Sequence, residues 1–305
     1  MENKNYHIPV LLRTSVQYLL KNKEGVFIDV TFGGGGHSSH ILEEIPENSK
    51  LIAFDQDPDA WENAKKIESK FKNFQLLKRN FRHLQTALKD IHVTQVDGIL
   101  ADLGVSSHQF DTPERGFSFR FEANLDMRMN QSQEVDAAYI VNNYSEQNLH
   151  KIFGMYGEIK NAKTLAQTLV KARSKNSIKT TQDLKKAIIT CIPQKGTNKY
   201  LAQVFQALRI EVNEELKALE EFLLQAAEVL RKGGRLVIIS YHSLEDRMVK
   251  NFLQKGKFFV EVEKDFYGNP IKPFEITEKL IVPTEPEIQA NPRARSAKMR
   301  VAERI

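Results

Sequence analysis

Five short runs of apolar residues constrain the fold of this 305-residue chain more than any other feature. They lie at Val26–Val30, Leu51–Asp55, Phe74–Lys78, Val96–Ala101 and Arg235–Ser240. Runs of this length that are rich in Val, Ile, Leu and Phe are typical of parallel strands buried on both faces. Helical stretches separate the first four runs, and strands that alternate with helices form a doubly wound α/β sheet. The chain is therefore predicted to contain a Rossmann-like domain.

This alternation stops after Gly104 and resumes only near Tyr200. The intervening residues are polar and then basic, with helical periodicity at Leu149–Phe153 and Ala162–Arg173. From Tyr200 a long amphipathic helix is predicted to run to the pair Gly233–Gly234, because glycine commonly ends a helix. The Rossmann-like domain is thus predicted to be interrupted by a helical insertion.

The length of the chain also favours more than one domain, since 305 residues exceed what one hydrophobic core usually serves. We assign residues 1–110 and 200–305 to the Rossmann-like domain and residues 111–199 to a mainly helical, basic insertion. The single cysteine, Cys191, excludes an internal disulfide and any metal site built from several cysteines, and no metal cofactor is expected. No apolar run has the length of a signal peptide core or a membrane span, which predicts a cytoplasmic protein.

The net charge of +5 is the sum of unequal parts. Between Lys151 and Tyr200 eleven basic residues are opposed only by Glu158 and Asp183, so this segment carries +9 and the remaining 255 residues carry −4. A second basic cluster is interpreted as a basic tail near the C-terminus and consists of Arg293, Arg295, Lys298, Arg300 and Arg304. Clustered positive charge beside a near-neutral remainder indicates a polyanionic partner, although a solvated helix face explains one such cluster equally well.

A glycine-rich turn, Gly33–Gly36, follows the first predicted strand and precedes a predicted helix. Glycine lets the backbone approach a ligand closely, and the helix start favours an anionic group. A dinucleotide-binding turn needs Gly or Ala where this chain has Ser38, and the Gly-Lys-Ser/Thr of a P-loop is absent. The spacing Asp29-x-Thr31-x-Gly33-x-Gly35 instead resembles that of S-adenosylmethionine-dependent methyltransferases.

Two acidic residues end predicted strands near this turn. Asp55 ends the second strand, where a carboxylate can accept hydrogen bonds from both hydroxyls of a ribose. Because Asp57 and Pro58 already supply the cap and first residue of the next helix, Asp55 is predicted to be free for a ligand. Asp102 ends the fourth strand, where it could bind a cofactor, bind a substrate or act in catalysis.

Seven sequence blocks, in order along the chain, carry a resemblance to one family. They are TFGGGGHS (Thr31–Ser38), DLGVSSHQFD (Asp102–Asp111), RGFSF (Arg115–Phe119), LDMRM (Leu125–Met129), FQALRIEVNEEL (Phe205–Leu216), GGRLVIISYHSLEDR (Gly233–Arg247) and NPRARSAKMR (Asn291–Arg300). By these blocks the chain resembles the bacterial 16S ribosomal RNA cytosine-N4 methyltransferases over nearly its whole length. The resemblance implies S-adenosylmethionine as methyl donor, and a cytidine in the decoding region of the small ribosomal subunit as target.

The resemblance also implies a set of cofactor contacts. Carried over residue by residue, they fall on Gly35, Gly36, His37, Asp55, Phe81, Asp102 and Gln109. Without it, Phe81 could equally be a core residue, although its ring has a face that can pack against adenine. Departures from the family pattern are Val30 for a usual Gly, Asn124 and Lys232 for Pro, and Tyr241 for Phe. None of the four falls on a predicted cofactor contact.

One residue is a candidate for the proton acceptor of the substrate amine. Many amino-methyltransferases end strand four with [DNS]-P-P-[YF], and only the first position of Asp102-Leu103-Gly104-Val105 fits. Asp102 is therefore the hypothesised acceptor as well as a cofactor neighbour. His242, Ser243 and Asp246 could suggest a catalytic triad, but Ser243 and Asp246 are better explained as a helix cap.

Two groups could contact RNA outside that centre. Phe117, Phe119 and Phe121 alternate beside Arg115 and Arg120, a pattern that fits either base stacking with phosphate contact or an amphipathic strand. The Arg293/Arg295 segment and the basic insertion are predicted to contact phosphates.

Other readings of the sequence remain open at this point. They are a methyltransferase of another RNA or of DNA, a NAD-dependent oxidoreductase, and a ribosome-assembly factor with little catalysis. Ser38 argues against the oxidoreductase. The oligomeric state is left open.

Overall fold

The chain divides into two compact units in a computed structural model that describes residues 9–258, 264–268 and 271–305. One unit comprises Met1–Gly104 and Leu216–Ile305, and the other is Val105–Glu215. The inserted unit is thus wider at both ends than the predicted 111–199. The difference at its C-terminal end arises because the apolar face of the helix that begins near residue 200 is buried in the core of the insertion.

The first unit is built on a seven-stranded sheet of order β3-β2-β1-β4-β5-β7-β6. Strands β1 to β5 are parallel, whereas β7 is antiparallel to both β5 and β6. The strands are β1 (Val26–Asp29), β2 (Lys50–Phe54), β3 (Phe74–Leu77), β4 (Val96–Asp102), β5 (Leu230–Ser240), β6 (Phe274–Ile276) and β7 (Lys298–Arg304). The five predicted strands and the α/β fold class are therefore confirmed.

Helices connect these strands and form the second unit. In chain order they are α1 (Leu12–Leu19), α2 (Gly36–Glu44), α3 (Pro58–Lys70), α4 (Leu84–Asp90), α5 (Ser107–Asp111), α6 (Ala137–Asn143), α7 (Glu146–Met155), α8 (Ala162–Arg173), α9 (Thr181–Ala187), α10 (Thr197–Val212), α11 (Glu215–Val229), α12 (Ser243–Lys255) and α13 (Glu285–Ala290). Within the described ranges, no helix has the length and apolar character needed to cross a membrane.

Helices cover both faces of the sheet, and neighbouring residues of a strand pack on opposite faces. On one face Ile52 of β2 packs in a cluster with residues of α4, α11 and α12. On the other face Leu51 and Ala53 pack with residues of α1, α2 and α3. β5 alternates in the same way, with Leu236 and Ile238 on the first face. This arrangement is the predicted doubly wound sheet.

The strand β7 corrects the interpretation of the C-terminal basic cluster. The sequence suggested a basic tail, but Met299 and Val301 are buried in the sheet. Lys298 and Arg300 both pair with Asp246, at 3.1 and 2.8 Å. Arg304 donates to the carbonyl oxygen of Ala227. Three of the five basic residues therefore have partners within the first unit. Only Arg293 and Arg295 of that cluster are exposed.

The second unit consists of α5 to α10 around a core of its own, with Leu149, Phe153, Leu165 and Leu208 buried in it. Its helix α9 begins at the N-cap Thr180, where a reciprocal capping box with Asp183 satisfies both backbone amides.

The long helix predicted from Tyr200 to Gly233–Gly234 is wrong. It is two helices, α10 and α11, separated at Asn213 and Glu214, and Glu214 has a left-handed φ of 48°. The side chain of Asn213 accepts from the amide of Met129 and donates to the carbonyl of Met127 within the second unit. Asn213 thus uses its side chain for contacts with a distant loop, and the helix ends at this position. Gly233–Gly234 instead lies in β5, where the pairing with β4 shifts register.

Candidate active site at the carboxyl edge of the sheet

Three aspartates lie at the carboxyl ends of neighbouring strands in the first unit. Asp29 ends β1, Asp102 ends β4, and Asp55 directly follows β2. Since β1 lies between β2 and β4, the three residues occupy one edge of the sheet. The chain crosses to the other side of β1 here, and ligands of doubly wound folds bind at such a switch point. Of the three, Asp29 was quoted in the sequence pattern but not predicted as a site residue.

Asp29 is fully buried and holds the first part of the turn in place. Its Oδ1 accepts from the amide of Thr31 at 3.1 Å, and its Oδ2 accepts from the hydroxyl of Ser38 at 2.7 Å. The hydroxyl oxygen of Thr31 in turn accepts from the backbone amide of Asp102 at 2.6 Å. Ser38, which breaks the dinucleotide fingerprint, thus serves as the partner of a buried carboxylate.

Asp55 ties the glycine turn to the start of α3. Its Oδ2 accepts from the amide of Gly33 at 2.7 Å, and its Oδ1 accepts from the amide of Asp57 at 2.8 Å. Asp57 caps α3 and Pro58 is its first residue, as predicted. Asp55 is therefore not needed as the cap, but both of its oxygens also hold the backbone, and its predicted ligand role stays a prediction. Each carboxylate oxygen retains a lone pair that can accept a further hydrogen bond.

Asp102 lies between a tyrosine and a histidine. Its Oδ1 accepts from the hydroxyl of Tyr241 at 2.8 Å. Its Oδ2 lies 3.7 Å from Nδ1 of His37. Burial lowers the pKa of His37 to about 4, so the imidazole is neutral near pH 7 and this contact is not an ion pair. Nε2 of His37 is buried and has no hydrogen-bond partner among the described residues.

All three carboxyl groups hold their protons more tightly than free aspartic acid. Burial raises the pKa of Asp29 to about 6 and those of Asp55 and Asp102 to about 7. The hydrogen bonds of Ser38 and Tyr241 oppose these shifts at Asp29 and Asp102, while the charge of Asp29 adds to the shifts of the other two. The charges of these three carboxyl groups therefore change near neutral pH.

The glycine turn is shaped by close packing. Gly35 has a φ of 77°, which favours glycine, and a Cβ on it would lie 2.6 Å from Cδ1 of Ile67 and 2.8 Å from the ring of Phe32. It precedes α2, and no side chain caps that helix. Gly36 and His37 are the first two residues of α2. The packing of Gly35 against Phe32 was not foreseen from the sequence, which suggested ligand approach alone.

The other two predicted cofactor contacts are Phe81 and Gln109. Phe81 begins a 3-10 helix after β3, and its half-buried ring packs edge-on against Phe222 at a centroid distance of 5.5 Å. Gln109 belongs to the second unit, where it is buried in α5 and forms a capping box with Ser106. Both side chains therefore have structural contacts, and a ligand role for each stays a prediction.

The segment that carries Tyr241 is anchored by the start of α12. The predicted cap residue was Ser243, but the cap is His242, which forms a capping box with Glu245. Oε2 of the buried Glu245 also accepts from the amide of Tyr241 at 3.0 Å. Asp246 does not cap the helix, because its carboxylate pairs with Lys298 and Arg300. The structure thus supports the rejection of a catalytic triad here.

The phenylalanines of the second unit do not form the amphipathic strand that was considered, since residues 116–121 are irregular. Phe117 is buried, Phe119 packs edge-on against Phe205, and Phe121 is 46% exposed. The guanidinium of Arg115 is buried and donates to the carbonyl oxygens of residues 128 and 129. A phosphate role for Arg115 is therefore contradicted, and of these three phenylalanines Phe121 is the one classed as exposed.

The basic segment of the second unit is exposed for most of its length. Nine of its eleven basic side chains are exposed: Lys151, Lys160, Lys163, Lys171, Lys175, Lys179, Lys186, Lys195 and Lys199. Within the described part of the chain none of these nine forms a salt bridge. The other two, Arg173 and Lys185, donate to backbone carbonyl oxygens. The segment therefore presents unneutralised positive charge to solvent.

The unfolding free energy of the Asp29→Asn variant, relative to that of wild type, is expected to be larger above pH 7 than at pH 5. A raised pKa means that the contribution of Asp29 is present below its unfolded pKa and is lost as pH rises through about 6. The side-chain amide of an asparagine does not titrate in this range. The difference in unfolding free energy between variant and wild type should thus grow by about 1 kcal/mol from pH 5 to pH 7.5, by urea denaturation. A difference that does not change with pH would contradict the assigned pKa.

A doubly wound sheet with a glycine turn and carboxylates at its carboxyl edge is the arrangement by which Rossmann-like proteins bind nucleotide ligands. The chain belongs to the MraW methylase family, whose model matches residues 4–305. It is therefore a methyltransferase, and the resemblance that the seven blocks carried is confirmed.

Individual relatives match nearly the full length of the chain. A protein of Cytophaga hutchinsonii named ribosomal RNA small subunit methyltransferase H is 56% identical over 299 residues, which are 98% of this chain and 99% of the relative. A protein of the same name from Flavobacterium johnsoniae is 54% identical over 300 residues, 98% of each. Among solved structures, an rRNA methylase from Streptococcus thermophilus aligns with a TM-score of 0.40 and 12% identity, over 95% of this chain and 92% of that one.

Proposed function

We propose that this methylase transfers a methyl group from S-adenosylmethionine to the exocyclic N4 of a cytidine in the decoding region of 16S ribosomal RNA. The observation that carries the proposal is the group of three carboxylates around the glycine turn, in a chain 56% identical to a ribosomal RNA small subunit methyltransferase H. The partner is the small ribosomal subunit or its RNA, and the compartment is the cytoplasm.

The residues at the sheet edge fit S-adenosylmethionine. Helix α2 has no side-chain cap, so its first amides can bind the carboxylate of the methionine moiety. Asp55 keeps lone pairs for ribose hydroxyls. The buried Nε2 of His37 has no partner among the described residues, and such an atom is normally paired. Phe81, Asp102 and Gln109 complete the set that the family resemblance assigns.

The chemistry required of the protein is orientation and hydrogen-bond acceptance. S-adenosylmethionine supplies an electrophilic methyl group when bound. The N4 lone pair of cytosine is delocalised into the ring, so the amine must be held in line at about 3–3.5 Å. We assign to Asp102 the role of accepting a hydrogen bond from the amine and then its proton. Once methylated, the nitrogen is acidic, so a carboxylate of modest basicity is sufficient.

The decisive experiment is nucleoside mass spectrometry of small-subunit RNA from cells with and without this protein. The proposal expects N4-methylcytidine to disappear on deletion and to return when the wild-type chain, but not Asp102→Asn, is supplied. An unchanged level would refute the proposal. Loss of a different methylated nucleoside would leave the enzyme class intact and change the target base. Loss of subunit assembly without loss of methylation would indicate the binding-factor alternative.

The exposed lysines of the second unit are expected to bind RNA phosphates. The triple variant Lys186→Gln, Lys195→Gln and Lys199→Gln should weaken RNA binding and reduce the slope of log K against log salt by about 2, since each phosphate contact contributes roughly 0.7 to 0.9. The measurement is a fluorescence anisotropy titration of a labelled RNA between about 50 and 200 mM salt.

The matched control removes three exposed lysines that already pair with glutamates. In Lys23→Gln, Lys65→Gln and Lys70→Gln the lost charges were neutralised by Glu44, Glu62 and Glu43. This control should keep the wild-type salt slope. Equal slopes in both triple variants would show that the basic segment of the insertion does not contact the RNA backbone.

A further inference from the structure

We propose that Tyr241 is a positioning residue of the active site, whose hydroxyl holds the Asp102 carboxylate by its Oδ1 and leaves Oδ2 as the acceptor for the substrate amine. The inference rests on the proposed function, because it assigns Asp102 as that acceptor. Sequence analysis noted Tyr241 only as a departure from a usual Phe. In the structure the additional oxygen of Tyr makes the 2.8 Å contact that a Phe ring would lack.

The position of the Tyr241 ring follows from elements of the first unit alone. Tyr241 directly follows β5, which pairs with β4 so that Ile239 lies opposite Asp102. The backbone of Tyr241 is held by the buried Glu245 at the start of α12. Its ring lies beside Gly104, where a Cβ would be 3.7 Å from Cδ2 of the tyrosine. A phenol fixed at its backbone and beside its ring can orient a carboxylate with little loss of side-chain entropy.

The hydroxyl also affects the charge of the carboxylate that it orients. Asp102 faces His37 of α2, which is neutral, and it feels the negative charges of Asp29 on β1 and Glu245 on α12. Tyr241 donates the one side-chain hydrogen bond that lowers the pKa of Asp102 against burial and these charges. The pKa of Tyr241 itself lies well above its usual range, so the phenol remains a donor throughout the working range. The hydroxyl therefore favours the ionised, accepting form.

The test is Tyr241→Phe, measured as turnover against pH at saturating donor and RNA. Loss of the hydrogen bond should move the acidic limb upward by about half to one pH unit. The loss of turnover relative to wild type should then be roughly three- to eightfold larger at about pH 6.5 than at about pH 9, where the remaining loss measures the orientation that the hydroxyl supplied. Tyr18→Phe, the same change on α1 of the same unit, should leave the profile unmoved. An acidic limb that stays at its wild-type position would mean that the hydroxyl does not act on the Asp102 carboxylate, and would overturn the proposal.

A second readout does not depend on methylation. In protein labelled with carbon-13 at aspartate carboxyl carbons, the signal that disappears in Asp102→Asn identifies Asp102. Its titration midpoint should rise by the same half to one pH unit in Tyr241→Phe, and an unmoved midpoint would overturn the proposal. If the wild type has no activity on cytidine but the midpoint still moves, the proposed function fails while the Tyr241–Asp102 coupling stands.

Discussion

Asp102→Asn is expected to reduce turnover by about 100-fold or more at saturating S-adenosylmethionine and RNA, the range typical of a lost proton-transfer group. The amide is nearly the same size but carries no negative charge, and when its carbonyl oxygen accepts from Tyr241 its NH2 cannot accept from the substrate amine. Since burial raises the pKa of Asp102 to about 7, wild-type turnover should also increase from pH 6 to pH 8, as the carboxylate ionises. The residual activity of the variant should lack this increase.

The control for Asp102→Asn separates chemistry from cofactor binding. Calorimetry with S-adenosylhomocysteine measures how much affinity the variant loses, and saturation with donor removes that loss from the turnover. Full turnover of Asp102→Asn under saturating donor would eliminate the acceptor role and leave Asp102 as a cofactor contact. Retained turnover that also keeps the wild-type pH profile would show that another group titrates near neutral pH.

Gly116→Ala is expected to destabilise the second unit by about 3 kcal/mol or more, from the combined cost of backbone strain and overlap. Gly116 has a φ of 71°, and a Cβ there would overlap the carbonyl oxygen of Asn124 and lie 2.9 Å from the amide nitrogen of Asp126. Both obstacles are backbone atoms, which cannot move aside as a flexible side chain can. The backbone conformation by itself costs an alanine about 1–2 kcal/mol, and the overlap adds to that.

Gly196→Ala provides the matched control in the same unit. Gly196 has a similar φ of 87°, but a Cβ on it meets nothing within 4 Å. It should therefore lose only the conformational part, about 1–2 kcal/mol. Circular dichroism follows the helices, and the fluorescence of Trp61, the only tryptophan, reports on the first unit. Equal loss in both variants would show that the contact with Asn124 does not limit the site.

Features set by neighbouring residues in the chain were predictable. The Asp57 and Pro58 start of α3 and the five buried strands were found as expected, because caps and apolar runs are local signals. The common location of Asp55 and Asp102 was also predictable, since the ends of parallel strands lie at one edge of the sheet. Their ligand roles remain proposals that rest on the family and on the residues left to bind.

Features set by distant contacts were not predictable. Lys298 and Arg300 were interpreted as part of a basic tail, because their partner Asp246 is more than fifty residues away in sequence. The break between α10 and α11 depends on Asn213 holding residues 127 and 129, and nothing in the helical periodicity indicates it. Arg115 is a third case, since its charge suggested a phosphate contact while its guanidinium is buried.

The sequence by itself determined the sheet, the presence of an inserted unit, the basic segment of that unit and the methyltransferase family, because these depend on apolar periodicity, local charge and ordered motifs. Only the tertiary structure decided which contacts these site residues make. It paired Asp29 with Ser38, engaged both oxygens of Asp55 and placed the hydroxyl of Tyr241 on Asp102. The physical reason is clearest for the last of these, since Asp102 and Tyr241 are 139 positions apart and meet only after β4 and β5 have paired.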